Sequence, residues 1–365
     1  MKNKLFISIY CGLMILLASC NNYLDVKPKG KIIPETAEDF STIIHYWLDQ
    51  IEKGRDDVII PNPEVMTTLE MFADDLNATL ASNFGYTSIY VGSAINKNQA
   101  TYKTLYSVIK DCNMVIGNMD DTESDLARTL LGTAWSIRSI CYYNLMQRYC
   151  EPYQPETAKE TLGLPLVDDF DMEAKPARAN LKETAEFIEE GFRKALSYNV
   201  SNEDFIFTSS VTKAYFARFF FWTQNWSNAI TYAKEVLEKY PMLEADEYVE
   251  AINQKQAKAH NVIIRSFTMD DDIGTMSYAT AQADIKSRPV DRNLVDLFAA
   301  TDNDVRRRCN YDSKRIVNKI ITTKFRSEEL CLIIAEAHAH LYAGKYTEAV
   351  AAVNDAIDTN SPLPE

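Results

Sequence analysis

Residues that break regular structure are scarce in this chain: 11 glycines and 12 prolines among 365 residues. That excludes a collagen-like or mainly low-complexity protein. A 46% hydrophobic share excludes a chain too polar to bury a core. Basic charge is also short, with 38 Lys and Arg against 52 Asp and Glu and a net charge of −14. Such a surface repels phosphate backbones, so no nucleic-acid partner is expected, nor docking on anionic lipid through basic patches. Histidine occurs four times. His338 and His340 are two apart and point about 200° apart on a helix. Glu336 and His340 can share a face but bring no third ligand, so no metal site is expected there. No nucleophile elbow, phosphate-binding glycine loop or zinc-protease helix is present, and no catalytic residue is expected.

The seven cysteines do not form a disulfide framework. Cys11 and Cys20 lie at the N-terminus. Cys112, Cys141, Cys150, Cys309 and Cys331 are widely separated, as small apolar fillers on helices would be. One disulfide stays open as an alternative. Long apolar runs are missing too. The longest, Leu5–Leu17, covers about 20 Å as a helix, too little for a ~30 Å hydrocarbon core. With Lys2 and Lys4 before it and Leu17-Ala18-Ser19-Cys20 after it, it reads as a secretory signal over residues 1–19. The small-small-Cys ending resembles a bacterial lipobox, with cleavage before Cys20 and acylation of that residue. Several acyl chains anchor stably, each buried CH₂ adding about 0.8 kcal/mol. Cleavage removes two lysines and leaves a body of charge −16 on a lipid tether, residues 20–35.

What remains is mostly helical. Thr36 with Asp39 three residues on is a capping pattern, followed by Phe40, Ile43, Ile44, Trp47, Leu48 and Ile51 at helical spacing. Further helices are expected at about 98–117, 124–150, 181–197, 209–223, 226–239, 327–343 and 346–358. Tyr102, Tyr106, Tyr142, Phe216 and Phe220 fall on stripes expected to be buried. A Pro- and Asp-rich loop follows residue 150, and 241–325 reads as a weaker, mixed insert with β-favouring pieces such as Val262-Ile263-Ile264.

A repeat is visible. Phe216-Ala217 is followed by Phe220, Ala229 and Pro241, at offsets of 3, 12 and 24 from Ala217. These are the positions of a tetratricopeptide unit, with a turn at Gln224-Asn225-Trp226. Shifted by 120 residues, Ala337, His340, Ala349 and Pro362 occupy similar places, with Pro one residue late. Small residues at the crossing let two helices approach closely, and each hairpin leaves an apolar face for a neighbour to cover.

Taken in order, these pieces resemble the SusD/RagB-like outer-membrane lipoproteins of Bacteroidetes. Cys20 followed by Tyr23-Leu24-Asp25-Val26-Lys27-Pro28 resembles the mature start of that family. Tyr102–Asn113 looks like its first core helix. Ala134–Tyr149 looks like its Arg- and Tyr-rich helix, with the loop reaching Gly163-Leu164-Pro165-Leu166. Val211–Tyr240 and Phe325–Ala337 resemble its central and late hairpins. The resemblance implies one mostly α, SusD-like domain over 36–365. Its tetratricopeptide-like hairpins lie at about 98–240 and 327–362, and its irregular ligand-side segments at about 60–97 and 241–325. Family members continue past the late hairpin, so the stop at Glu365 reads as a short or truncated member.

The function implied is capture of oligosaccharide, or of peptide in RagB-like members, as a lid on a SusC-like TonB-dependent transporter. The lipid on Cys20 would hold the protein at the outer-membrane surface, and no cofactor is implied. Sugar sites want flat aromatic faces with amides and acids beside them. Asn83, Tyr86 and Tyr90, behind Asp74-Asp75, and Tyr278 lie off the core stripes, in the regions from which that family draws ligand contacts. Asp270-Asp271-Asp272 is the place where a calcium ion could find oxygen ligands. Two other classes stay in view: a lipid-anchored helical scaffold without small-ligand binding, and a secreted glycosidase using paired carboxylates.

Overall fold

The structure is a computed structural model. It describes residues 34–52, 58–60, 99–120, 124–169, 175–253, 262–265, 289–299, 304–316, 323–343, 347, 348, 350 and 351. Helix α1 spans Ala37–Glu52, α2 Gln99–Asn118, α3 Asp125–Tyr149, α4 Leu181–Ser197, α5 Ser209–Trp222 and α6 Trp226–Leu237. Three short helices follow: α7 (Ala245–Asn253), α8 (Arg292–Ala299) and α9 (Val305–Cys309). Helix α10 is Ser327–Leu341. Two antiparallel strand pairs complete the described part: β1 (Leu162–Pro165) with β2 (Arg178–Asn180), and β3 (Val262–Arg265) with β4 (Thr323–Arg326). The chain is therefore mostly α, as its periodicity implies.

Helix α3 is the axis. It starts at Ser124, whose hydroxyl accepts from the Ala127 N–H at 3.0 Å. Sixteen of its residues are buried, on all sides rather than along one stripe. Such a helix must be surrounded, and α1, α2, α4, α5 and β1 pack on it. Two glycines set how closely. A Cβ on Gly132 would strike Val200 and Tyr198, and one on Gly191 of α4 would strike the Ser139 hydroxyl. Glycine in a helix costs about 0.5–1 kcal/mol relative to alanine, so these two serve close approach rather than propensity. Helix α1 carries the expected capping contacts, the Asp39 N–H donating to Thr36 Oγ1 at 3.3 Å and the Thr36 N–H to Asp39 Oδ2 at 3.1 Å. It joins α2 through Trp47 Nε1, which donates to Asp111 Oδ2 at 3.1 Å.

Helices α5 and α6 form the hairpin read from the repeat. Ala217, Ala229 and Ala233 are fully buried where the two helices cross. The chain turns at Gln224, whose φ of 61° lies in the left-handed region. Its amide offsets that strain by donating to the Tyr153 carbonyl at 3.1 Å. A column of rings fills the inside: Phe192, Phe216, Phe220 and Tyr232, with Phe216 and Phe220 stacked 4.2 Å apart.

Helix α10 packs on α5 and α6. Arg218 of α5 makes a bidentate pair with Glu329 of α10, Nε to Oε1 at 2.6 Å and Nη2 to Oε2 at 2.7 Å. The guanidinium also lies 3.8 Å from the centroid of the Phe325 ring. Burial alone would lower the Arg218 pKa, but Glu329 outweighs it and the net direction is upward. At the far end of the hairpin Trp226 stacks flat on His340, centroids 4.2 Å apart. Residues 347, 348, 350 and 351 are helical; the rest of the helix expected at 346–358 lies outside the described residues.

Three findings differ from the sequence expectation. Tyr102 and Tyr106 are half-buried, packed against the core rather than inside it. The insert after 241 contains the short helices α7, α8 and α9. The Pro- and Asp-rich loop holds the β1–β2 pair, with Leu162 opposite Asn180 and Pro165 opposite Arg178. Cys112, Cys141, Cys309 and Cys331 are buried and Cys150 is half-buried.

Replacing Glu329 by Ala would strand the Arg218 charge between two rings. The expected cost is about 2 kcal/mol in urea unfolding, below the ~3–5 kcal/mol of a fully buried pair because Glu329 is 39% exposed. The double replacement Arg218→Met with Glu329→Leu should recover part of the loss.

Candidate functional site

The polar centre of the described fold is built around Arg138 in α3, which is 3% exposed. Its Nη1 donates to Asn113 Oδ1 of α2 at 2.8 Å. Asn113, itself buried, turns its amide outward and donates to the carbonyls of Val167 and Asp169, each at 3.0 Å. Tyr142, one turn on from Arg138, accepts from the Val167 N–H at 2.7 Å and donates to the Val167 carbonyl at 3.1 Å. Tyr106 donates to the Pro165 carbonyl at 2.8 Å. The segment leaving β1 is thus fixed through its backbone by three side chains from two helices.

The electrostatics follow from burial. Desolvation lowers the Arg138 pKa, opposed by Tyr142, Cys112, Asp168 and Glu190. The guanidinium sits over the Trp135 ring, 4.0 Å from its centroid, and 5.3 Å from that of Phe187. Burial raises the Tyr106 and Tyr142 hydroxyls well above their usual range, so both stay protonated and able to donate. Nearby, Arg178 Nε donates to the Gly163 carbonyl at 2.6 Å. Gly163 has no room for a side chain, since a Cβ would strike Thr184 Oγ1 and the Asn180 carbonyl.

Two surface depressions stand out among the described residues. The first, of about 480 Å³, lies where the C-terminal end of α2 meets α3 and α4. Its walls include Gly117, Asn118, Asp120, Trp135, Lys194 and Tyr198. The second, of about 560 Å³, runs along the outer face of α1, with Thr42, His45, Tyr46, Asp49, Glu52 and Asp204. Tyr46 is 57% exposed there. Among the described residues no group of three His, Cys, Asp or Glu is arranged to hold a metal ion. Glu336 and His340 do share a face, 3.8 Å apart, as their spacing implies.

The residues singled out from the sequence for ligand contact, Asn83, Tyr86, Tyr90 and Tyr278, lie outside the described residues. So do Cys20, the Asp74-Asp75 pair and Asp270, Asp271 and Asp272. The depression at the end of α2 was not legible from the sequence. Trp135 and Tyr198 carry no pattern that separates them from core aromatics. The one available signal was Gly117 near a helix end, a position where a helix commonly stops.

Comparison with known proteins gives a consistent picture. A family model described as SusD-like, starch-binding associating with outer membrane, matches residues 22–221. Comparison with curated protein sequences gives no match. Among solved structures, a SusD-like carbohydrate binding protein from Bacteroides vulgatus superposes with a TM-score of 0.65 at 18% identity, over 91% of this chain and 77% of that one. A SusD superfamily protein from Bacteroides fragilis gives 0.61 at 16% identity, over 88% and 82%. A laminarin binding SusD-like protein gives 0.56 at 14% identity, over 89% and 85%. At these identities the likeness shows the fold. No described helix is long and apolar enough to cross a membrane.

Replacing Tyr142 by Phe removes both the acceptor of the Val167 N–H and the donor to its carbonyl. The expected cost is about 1–3 kcal/mol. Hydrogen exchange should show lost protection at the Val167 amide, with little change in the α5–α6 hairpin.

Proposed function

The chain belongs to the SusD-like family, and on that premise we propose that it is a glycan-binding lipoprotein of the outer-membrane surface. It captures oligosaccharide and passes it to a SusC-like TonB-dependent transporter. The observation that carries this reading is the family match over residues 22–221, whose description is starch binding in association with the outer membrane. The fold-level likeness to a laminarin binding protein supports the same ligand class. The family is one of binding proteins, and the proposed role here is capture without catalysis.

The lipid anchor is the first part of the proposal. The run Leu17-Ala18-Ser19-Cys20 supports cleavage before Cys20 and acylation there. Two or more acyl chains give the stable attachment that one alone does not. The ligand contacts are the second part. Asn83, Tyr86, Tyr90 and Tyr278 supply rings for the apolar face of a pyranose and an amide for its hydroxyls. The rigid helical body described above would hold the segments that carry them.

Replacing Cys20 by Ser should abolish incorporation of labelled palmitate and shift the protein out of the membrane fraction; palmitate labelling that survives would contradict the anchor. For the ligand, the soluble body from Asn21 onward is titrated by calorimetry with a panel of polysaccharides and peptides. Binding of at least one glycan is expected. Tyr86→Ala or Tyr278→Ala should weaken it about tenfold, or ~1.4 kcal/mol. Binding of peptides alone would replace the glycan reading with a peptide one, and a folded body that binds nothing would favour a scaffold.

A further inference from the structure

The depression at the end of α2 has a chemistry of its own. It brings together the last turn of α2, Leu131 and Trp135 of α3, Lys194 of α4 and Tyr198, which caps the end of α4. Its volume of about 480 Å³ falls within the roughly 300–1,000 Å³ of small-ligand sites. Two aromatic side chains line it. The Arg138 guanidinium packs over the Trp135 ring, 4.0 Å from its centroid. Tyr198 has the Lys194 ammonium 5.5 Å from its ring centroid.

The polar groups are mixed in kind. Lys194 is exposed and donates only. Asn118 spends one of its two amide hydrogens on the Met114 carbonyl at 2.8 Å and keeps its Oδ1 as an acceptor. The end of α2 adds backbone carbonyls and the negative pole of the helix. Asp120 adds a carboxylate to the wall. At Gly117 the cavity comes down to the backbone, since a Cβ there would meet nothing within 4 Å.

These features select among ligand classes. A phosphate or other anion would face the negative end of the helix with one lysine to offset it. A wholly apolar ligand would cover the ammonium and the carbonyls without replacing their hydrogen bonds with water, at a cost of about 1–3 kcal/mol per stranded group. A neutral polyol with one apolar face satisfies both halves: its C–H face lies on an aromatic ring, and its hydroxyls accept from Lys194 and donate to Asn118 Oδ1 and the α2 carbonyls. We propose that this depression is a second, independent subsite for a pyranose unit, built from Trp135, Tyr198, Lys194 and the C-terminal turn of α2. The inference rests on the glycan-binding reading above but uses none of the residues assigned to the main site. It would let one protein hold two stretches of a glycan chain, or two chains.

The test uses the soluble body labelled with 5-fluorotryptophan. The chain has four tryptophans, Trp47, Trp135, Trp222 and Trp226, so four fluorine resonances can be assigned by single Trp→Phe replacements. The probes are laminarihexaose, maltohexaose and other hexasaccharides, each checked for binding by calorimetry. With a bound oligosaccharide the Trp135 resonance should shift in a saturable way. Lys194→Ala and Gly117→Leu should each weaken that response at least fivefold, while the unfolding midpoint does not fall. Tyr86→Ala should leave the Trp135 response in place. Calorimetric binding with a silent Trp135 resonance would overturn the subsite and leave the glycan reading standing. So would a Trp135 shift that survives Gly117→Leu unaltered. Absence of binding across the whole glycan panel would overturn both.

Discussion

A positive charge buried in the middle of a helix bundle constrains everything around it. Arg138 is 3% exposed, and burying an unpaired ion costs several kcal/mol. The described structure meets that cost with few direct partners. One hydrogen bond goes to Asn113, two aromatic rings take the guanidinium faces, and Asp168 and Glu190 act at longer range. Asn113 is then committed to Arg138 through its oxygen, so its nitrogen is free to hold the carbonyls of Val167 and Asp169. The segment after β1 is placed as a consequence. The same guanidinium packs over Trp135, which lines the depression at the end of α2. One buried charge therefore orders an irregular segment and packs on a wall of the proposed subsite.

The rest of α3 repeats this economy. Asn144 donates to the carbonyls of Val58 and Ile59 at 2.9 and 3.1 Å and so pins the buried Val58–Ile60 segment. Ser136 pairs with Thr212 of α5. Helix α3 is thus both the apolar centre and a source of side chains that hold non-helical backbone. The hairpin of α5 and α6 does a different job. Its alanines permit close approach, its ring column fills the space, and Arg218 with Glu329 ties on α10. Arg138 and Arg218 have different partners, an amide in one case and a carboxylate in the other. The first orders backbone and the second clamps two helices.

Much of this was legible in the sequence, for identifiable reasons. Helix α4 was expected at 181–197 and lies at Leu181–Ser197, because Asn180 and Glu183 form a capping box and its apolar face is sharp. The tetratricopeptide-like crossing was legible because Ala217, Ala229 and Ala233 are small where most helix positions are not. The β1–β2 pair was not, since Leu162–Pro165 and Arg178–Asn180 are short, show no alternation and are separated by twelve residues. The short helices α7, α8 and α9 fell below the length at which a 3.6-residue period can be read. The Arg138 network was invisible because it depends on loop carbonyls, and every residue has one. The aromatic residues proposed for the main ligand site were chosen for lying off buried stripes. That criterion cannot reveal Trp135, inside a helix with buried faces, or Tyr198, at the end of one.

The family match and the fold support the proposed role of a lipid-anchored body that holds glycan for import. The most direct measurement is uptake of fluorescently labelled oligosaccharides by cells of the source bacterium with and without this chain. The account predicts that uptake of at least one glycan class falls when the chain is deleted and returns when it is supplied with Cys20 intact. Unchanged uptake across the panel, in cells shown to have lost the protein, would contradict it.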